Sequence, residues 1–399
     1  MPTAVIVDAI RTAGGKRNGK LSGWHPADLA AETLRALVER NDLDPALVDD
    51  VIMGCVMQIG AQGVNVGRNA VLAAGFPESV PATTIDRQCG SSQQSVHFAA
   101  QGVMAGAYDV VIAAGVEVMS LVPMGATMFA PNTGVPFGPK MAARYQGAGG
   151  LVPQGISAEM IADRWELSRQ DLDTYGAASQ QRAQRATEEG RFDREIIPVA
   201  VKVRDKETGQ VLEPEGALGR DEGIRPGTTV ETLAQLKPAF KPDGGKVTAG
   251  NSSQITDGAS AALIMSEERA ASLGLTPRAR FHSFAMAGVD QVLMLTGPIP
   301  ATGTVLERGK LTLDDIDLVE INEAFASVVL AWEKELHPDM ARVNVNGGAI
   351  ALGHPLGASG TKLLATLLNE LERTGGRYGL QTMCEGGGLA NAMIIERLG

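Results

Sequence analysis

The 399-residue sequence predicts an α/β fold made by doubling one α/β unit, and three observations carry that expectation. An ungapped echo recurs at one offset, with a cysteine in each copy. Leu43–Ile52 lines up with Leu311–Glu320, and Cys89-Gly90-Ser91-Ser92 with Gly357-Ala358-Ser359-Gly360. At the same offset, Ala114-Gly115-Val116-Glu117 meets Thr382-Met383-Cys384-Glu385. Strand-like and helix-like patterns alternate in both copies, as mixed α/β layers require. Finally, the chain is 44% hydrophobic and 20% charged, an ordinary globular balance, with 48 glycines for tight turns and close packing.

The first copy opens with a buried strand at Thr3–Asp8, and Pro26–Arg40 has helical spacing through Leu29, Thr33, Leu34, Leu37 and Val38. Strands follow at Val48–Met53 and Thr83–Ile85, then a helix over Ser91–Ala105 and a β-branched strand at Asp109–Ala114. The second copy repeats the order. It has a strand at Arg280–Phe284, a helix at Ala301–Arg308, a strand at Leu318–Ile321 and a Gly-rich turn at Gly347–Gly360. A helix at Thr361–Arg373 and strands at Gly379–Met383 and Ala392–Glu396 complete it. Between the copies, Pro123–Gly155 reads as a covering loop, Ala158–Trp165 and Arg169–Glu189 as helices, and Lys202–Thr228 as a polar excursion. The expected partition is residues 1–118 plus 250–270 as the N-terminal half, 119–249 as an inserted loop domain and 271–399 as the C-terminal half. An oligomerisation arm is the other reading of the insertion, and the two are compatible.

A net charge of −11 and a pI near 5.1 argue against nucleic acid or an anionic membrane as the main partner. No apolar run approaches the ~20 residues of a membrane span. Met1–Ala13 does not read as a signal peptide, and three unframed cysteines suit a reducing compartment, so a cytoplasmic location is expected.

Cys89 stands where a strand hands over to a helix, which aims N–H groups and the helix dipole at its sulfur and favours a thiolate. A small buried hydrophobe is the competing reading. His354, between Gly353 and Pro355 on a glycine-rich backbone, is placed for close approach by a ligand or another segment. Cys384 precedes Glu385-Gly386-Gly387-Gly388, a turn with room for a substrate and N–H donors. Asn322 ends a strand and suits either holding a carbonyl oxygen or capping a helix. Cys55 reads as structural. There is no CxxC, HxxxH, GxGxxG or Walker pattern. Two thiols, one imidazole and glycine-rich turns suit acyl transfer through a covalent thioester.

Cys89-Gly90-Ser91, Asn322-Glu323-Ala324-Phe325, Asn346–Gly360 and Cys384–Gly388 together resemble the thiolase family over the whole chain. The resemblance implies two sheets and their helices in five αβαβα layers, with a loop domain inserted in the first half. It implies Cys89 as the acyl-accepting nucleophile, His354 as its base and Cys384 as the acid/base for the second substrate. Asn322, through a water, and His354 would stabilise one oxyanion; the N–H groups of Cys89 and Gly386 would stabilise the other. Ser253, Phe240, Met294, Phe325 and Arg225 match coenzyme A positions, with CoA and acyl-CoA as substrates, no permanently bound cofactor, and a homodimer or homotetramer as the assembly.

The sequence departs from the family pattern at Asp86, commonly Asn, and at Ser92, commonly Gly. Pro153-Gln154 replaces the His-Met pair of short-chain biosynthetic members. That substitution reshapes the acyl pocket and favours a degradative 3-ketoacyl-CoA thiolase acting on medium, long or bulky chains, sterol side chains among them. The alternatives are an acetoacetyl-CoA-forming acetyltransferase and a non-catalytic acyl-CoA or lipid binder. A ketoacyl synthase lacks the second cysteine, and a cysteine hydrolase needs neither Cys384 nor a CoA pocket.

Overall fold

The computed structural model describes residues 2–399. Nine strands and eight helices carry the architecture. The first half holds β1 (Ala4–Thr12), α1 (Pro26–Arg40), β2 (Asp50–Gly54), α2 (Val66–Ala73), β3 (Ala82–Ile85), α3 (Ser91–Met104) and β4 (Val110–Val118). The inserted segment contributes α4 (Gln154–Arg164) and α5 (Arg169–Glu188), after which β5 (Thr256–Ser266) returns to the first sheet. The second half holds β6 (Ala279–Gly288), α6 (Pro298–Gly309), β7 (Leu318–Ile321), α7 (Ala326–Leu336), α8 (Ser359–Thr374), β8 (Tyr378–Glu385) and β9 (Leu389–Arg397).

The strand order is β7-β8-β9-β6-β1-β5-β4-β2-β3. Each half forms its own twisted sheet, and the two are hydrogen-bonded at one place, where β1 meets β6 through Val5–Arg280 and Ile6–Ala279. Helices α1 and α2 cover the outer face of the first sheet over a core of Leu29, Leu34, Val51 and Ile112. On the second sheet, α6 and α7 do the same with Val305, Trp332 and Ile321. Between the sheets lie α3 and α8, whose Val96, Ala100, Leu364 and Leu368 pack against both. These are five layers.

The duplication is exact in register at several points. The turn Pro45–Leu47 answers Leu313–Asp315, Ser91 opens α3 as Ser359 opens α8, and Val110 opens β4 as Tyr378 opens β8. The central helices cross closely because small residues meet there: a Cβ on Gly360 would collide with the Gln93 backbone. Ser92 belongs to this crossing. Its Oγ accepts the Thr361 N–H at 3.1 Å, so it satisfies an amide in the first turn of α8 across the seam.

Two expectations need amending. Strand β5, central in the first sheet, escapes notice in the sequence because Gly258, Ala259, Ser260, Ala261 and Ala262 are small, without β-branched bulk; burial along the whole strand holds them extended. The polar excursion is anchored rather than free. Asp221 is buried and takes Arg11, which also pairs with Glu195 at 2.6 Å. No helix among the described residues is long and apolar enough to cross a membrane.

His97, on α3, is fully buried, packs edge-on against Phe284 and has no hydrogen-bond partner at either ring nitrogen. Burial, with the Arg87 charge, pushes its pKa down to about 3 from 6.5. The unfolded chain binds this proton near pH 6.5 and the folded protein only near 3, so the stability it contributes is present above pH 6.5 and is lost as pH falls towards 3. A His97→Leu variant is therefore expected to lose about 2 kcal/mol less stability than wild type between pH 7 and pH 5. Denaturant midpoints at the two pH values check this.

Candidate active site

Four chain segments converge at the seam between the halves. Cys89 sits one residue before the N-cap of α3 and is 5% exposed. The turn after β8 brings the Gly386 N–H against its sulfur, where the N–H of Cys89 itself also points. Cys384, at the end of β8, is buried and close enough for a Cys89 thiolate to raise its pKa. Leu356, two residues after His354, packs in the same small apolar cluster as Cys89 and Met383.

His354 is fixed on several sides. Its N–H is shared by the Gln254 carbonyl and Thr256 Oγ1, both at 3.1 Å. Its Nδ1 lies 2.5 Å from Ser359 Oγ, and that hydroxyl donates its own proton to the Pro355 carbonyl at 2.8 Å. Ser359 can therefore only accept from the ring, which puts the proton on Nδ1 and leaves Nε2 free as a base. Asn322 Nδ2 stands 3.4 Å from that Nε2. The helix after Asn322 begins at Ala326 with Phe325 as N-cap, so Asn322 does not cap it. Removing the orienting hydroxyl in Ser359→Ala should lower kcat/KM about ten- to hundredfold with little change in KM; steady-state kinetics on the purified variant check it.

The electrostatics reverse one expectation. Burial, then Glu385, pushes the Cys89 thiol up to about 12, against the pull of the Gly386 and Cys89 N–H groups; Asp86 adds to the rise. The field of the helix end acts on a sulfur shut off from solvent and facing two carboxyls, and desolvation wins. Burial and the Lys362 charge push His354 down to about 3. The resting pair is a neutral thiol beside a neutral imidazole. Asp86 spends its oxygens on the Gln88 N–H and side-chain amide.

Three glutamates are absent from the sequence reading as working parts. Glu323 accepts from Tyr175, Ser179, Asn344 and the Ile350 N–H, tying α5 to the two motifs that carry Asn322 and His354. Glu117 accepts the N–H groups of Val56, Met57 and Gly357, and Gln62 Nε2 at 2.6 Å. Glu385 lies against Gly90. The echo already paired Glu117 with Glu385, and that equivalence was the available signal.

Of the predicted CoA positions, Ser253 donates its N–H to Ala324 O at 2.9 Å, which sets it beside Phe325. Phe240 meets Phe325 edge to face at 6.0 Å between ring centroids, and it packs over Gly155. Met294 shares a core cluster with Phe325. Arg225 is held by its N–H on Gln180 Oε1 and leaves its side chain exposed. Four of the five thus adjoin or share a cluster; Arg225 is exposed, on a segment whose Gly223 carbonyl accepts from Gln254 Nε2 at 2.8 Å, next to Ser253.

A thiol with N–H donors at its sulfur, an imidazole with a free Nε2 and a second thiol make an acyl-transfer site that works through a thioester. Residues 4–268 match the family model of the thiolase N-terminal domain and residues 275–397 that of the thiolase C-terminal domain. The chain is 50% identical over 404 residues to a Mycobacterium tuberculosis protein named steroid 3-ketoacyl-CoA thiolase FadA6, covering 100% of this chain and 95% of that one. It is 46% identical to a 3-ketoacyl-CoA thiolase of Aliivibrio salmonicida, with both chains covered completely. The crystal structure of the Bacillus anthracis acetyl-CoA acetyltransferase superposes with a TM-score of 0.88 at 38% identity, over 100% of this chain and 99% of that one. This chain belongs to the thiolase family and is an acyltransferase.

Proposed function

We propose that this protein is a degradative 3-ketoacyl-CoA thiolase, cleaving 3-ketoacyl-CoA with CoA to acetyl-CoA and a shortened acyl-CoA. The observation that carries the reading is the meeting of Cys89 with the Gly386 N–H and Cys384, beside the turn that carries His354, the partner of Asn322, and whose Leu356 packs in the same cluster as Cys89. His354 Nε2 takes the Cys89 proton, and the thiolate attacks the 3-keto carbon. The Cα–Cβ bond breaks, Cys384 protonates the departing acetyl-CoA enolate, and the acyl group stays on Cys89. The Cys384 thiolate then recovers a proton from the His354 imidazolium, and His354 Nε2 takes the proton of the CoA thiol as it attacks the thioester and passes it to the departing Cys89 thiolate. The N–H groups of Cys89 and Gly386 serve one oxyanion, and His354 Nε2 with a water held by Asn322 serves the other.

CoA is a substrate here, and no permanently bound cofactor has a role. Ser253, Phe240, Met294 and Phe325 would flank it, and the exposed Arg225 would meet its phosphates. The segment 119–249 acts as the inserted domain on halves 1–118 plus 250–270 and 271–399. A homodimer or homotetramer in the cytoplasm fits the family reading.

The acyl group is medium, long or bulky, sterol side chains included. Gln154, in place of the family's His-Met pair, stands over Gly386, and the covering loop offers apolar Met124, Met128 and Phe129 at its surface. The name of the Mycobacterium tuberculosis relative points the same way. The test follows the loss of the 3-ketoacyl-CoA enolate with acetoacetyl-CoA and with a bulky 3-ketoacyl-CoA. We expect kcat/KM to favour the bulky substrate by about tenfold or more, a difference of one to two buried methylenes or above. Preference for acetoacetyl-CoA would overturn the substrate assignment, and cleavage of neither would overturn the thiolase assignment.

A further inference from the structure

The two glutamates that the duplication makes equivalent differ in their surroundings. Glu117, the last residue but one of β4, is surrounded by donors: both of its oxygens accept, and one holds the Gly357 N–H in the turn after His354. That is the setting of a carboxylate. Glu385 ends β8 at the matching place, is fully buried, and neither of its oxygens has a hydrogen-bond partner. Its side chain lies so close to Gly90, the residue after Cys89, that a Cβ there would collide with Oε1 and crowd Asn391 Nδ2.

Asn391 completes the clamp. Its Nδ2 donates to the Gly90 carbonyl at 3.1 Å, which fixes the amide orientation, and its Oδ1 is buried without a donor. Three buried acceptor atoms, Glu385 Oε1 and Oε2 and Asn391 Oδ1, thus lack a donor, on two side chains that both crowd Gly90. One proton on the carboxyl resolves this: it turns a buried charge into a neutral donor and supplies the missing hydrogen bond.

We propose that Glu385 is a neutral carboxylic acid that donates to Asn391 Oδ1 and so positions the Gly90 turn behind Cys89 without placing a charge beside the nucleophile. The proposal rests on Cys89 being the nucleophile. The charged and titratable groups facing the carboxyl are Arg87 and Asp86 on the segment before α3, Cys89 in the turn, and Cys384 on its own strand. Burial pushes the Glu385 carboxyl well up, Asp86 adds to that, and Arg87 opposes it. Ionised, Glu385 would oppose the thiolate that catalysis needs; neutral, it does not.

The test compares Glu385→Gln, which keeps a donor and can never ionise, with Glu385→Leu, which has neither property. Three readouts are needed: kcat/KM, the pH profile of Cys89 alkylation by iodoacetamide, and the infrared band of a protonated carboxyl. The Leu variant should lose about tenfold or more in kcat/KM while still unfolding cooperatively, since it leaves Asn391 Oδ1 unpaired. Gln should restore most of that loss. Near neutral pH, Gln and wild type should alkylate at similar rates; at alkaline pH, Gln should overtake wild type as Glu385 ionises. The carboxyl band should vanish in Gln. Alkylation at least tenfold faster in Gln at neutral pH would mean a carboxylate at rest and would overturn the proposal. Loss of kcat in Gln equal to that in Leu would assign the carboxyl a proton-transfer role instead, and an unaffected Leu variant would remove any role. Alkylation needs no acyl-CoA, so an error in the substrate assignment leaves this test intact.

Discussion

Replacing Cys89 with alanine should lower kcat/KM for thiolysis by on the order of 10⁴–10⁶-fold, as loss of a covalent nucleophile does. The structure offers no substitute at that position: Ser91 Oγ is committed to the Gln88 carbonyl and the Arg87 N–H, and Ser92 Oγ to Thr361. The fold should survive, because removing one sulfur from a buried site leaves only a small void. Incubating wild type with a 3-ketoacyl-CoA in the absence of free CoA should give an acyl adduct by intact mass, located by digestion on the peptide holding Cys89. An adduct on Cys55 or Cys384, or near-normal turnover by Cys89→Ala, would refute the assignment.

The second large effect separates the two thiols. Cys384→Ala should lose about 10²–10⁴-fold in carbon–carbon cleavage, the usual size of one acid/base contribution. Exchange of labelled CoA into an acyl-CoA should persist within roughly tenfold, because that half-reaction moves one proton between Cys89 and the leaving thiol, which His354 alone can carry. Equal loss of both reactions would make Cys384 part of nucleophile activation; retention of both would remove Cys384 as the acid/base. The neutral resting state sharpens the experiment. Burial pushes the Cys89 thiol up and the His354 imidazole down, so both groups rest neutral in the free enzyme.

Much of this was legible in the sequence, for identifiable reasons. Helix α1 and strand β7 are bounded as read, since periodicity and flanking Pro or charged residues mark their ends. The echo proved to be a true structural register, because equivalent turns must present equivalent backbone at a pseudo-twofold seam. Cys89, His354, Cys384 and Gly386 stand out in the sequence because thiols, an imidazole and glycines at strand ends are chemically conspicuous. Strand β5 was not found, as its Ala and Gly residues give no local β signal and only tertiary burial extends them. Helices α2 and α7 went unread as well. Glu117 and Glu385 were missed because their neighbours lie far along the chain, Gly357 and Gly90 respectively, and Ser359 because its short link to His354 follows no recognisable spacing. The thiol's acidity was misjudged in sign, since a helix end can be read from sequence but the loss of solvent cannot.

The return of β5 after the whole inserted segment also governs how this chain can be built. Strand β4 pairs with β5 from Val118–Asp257 to Val110–Met265, so the first sheet stays open through the synthesis of the entire insertion. Until then β4 presents an uninterrupted apolar edge, Val110-Val111-Ile112-Ala113-Ala114, to the ribosome exit and its neighbours. Pairings this distant close slowly, and half-made sheets aggregate. Catalytic competence comes later still: Cys89 emerges early, but its base and its partner thiol are among the last residues translated. An emerging chain therefore carries its thiol unarmed, and enzymatic activity becomes a readout of completed assembly rather than of synthesis.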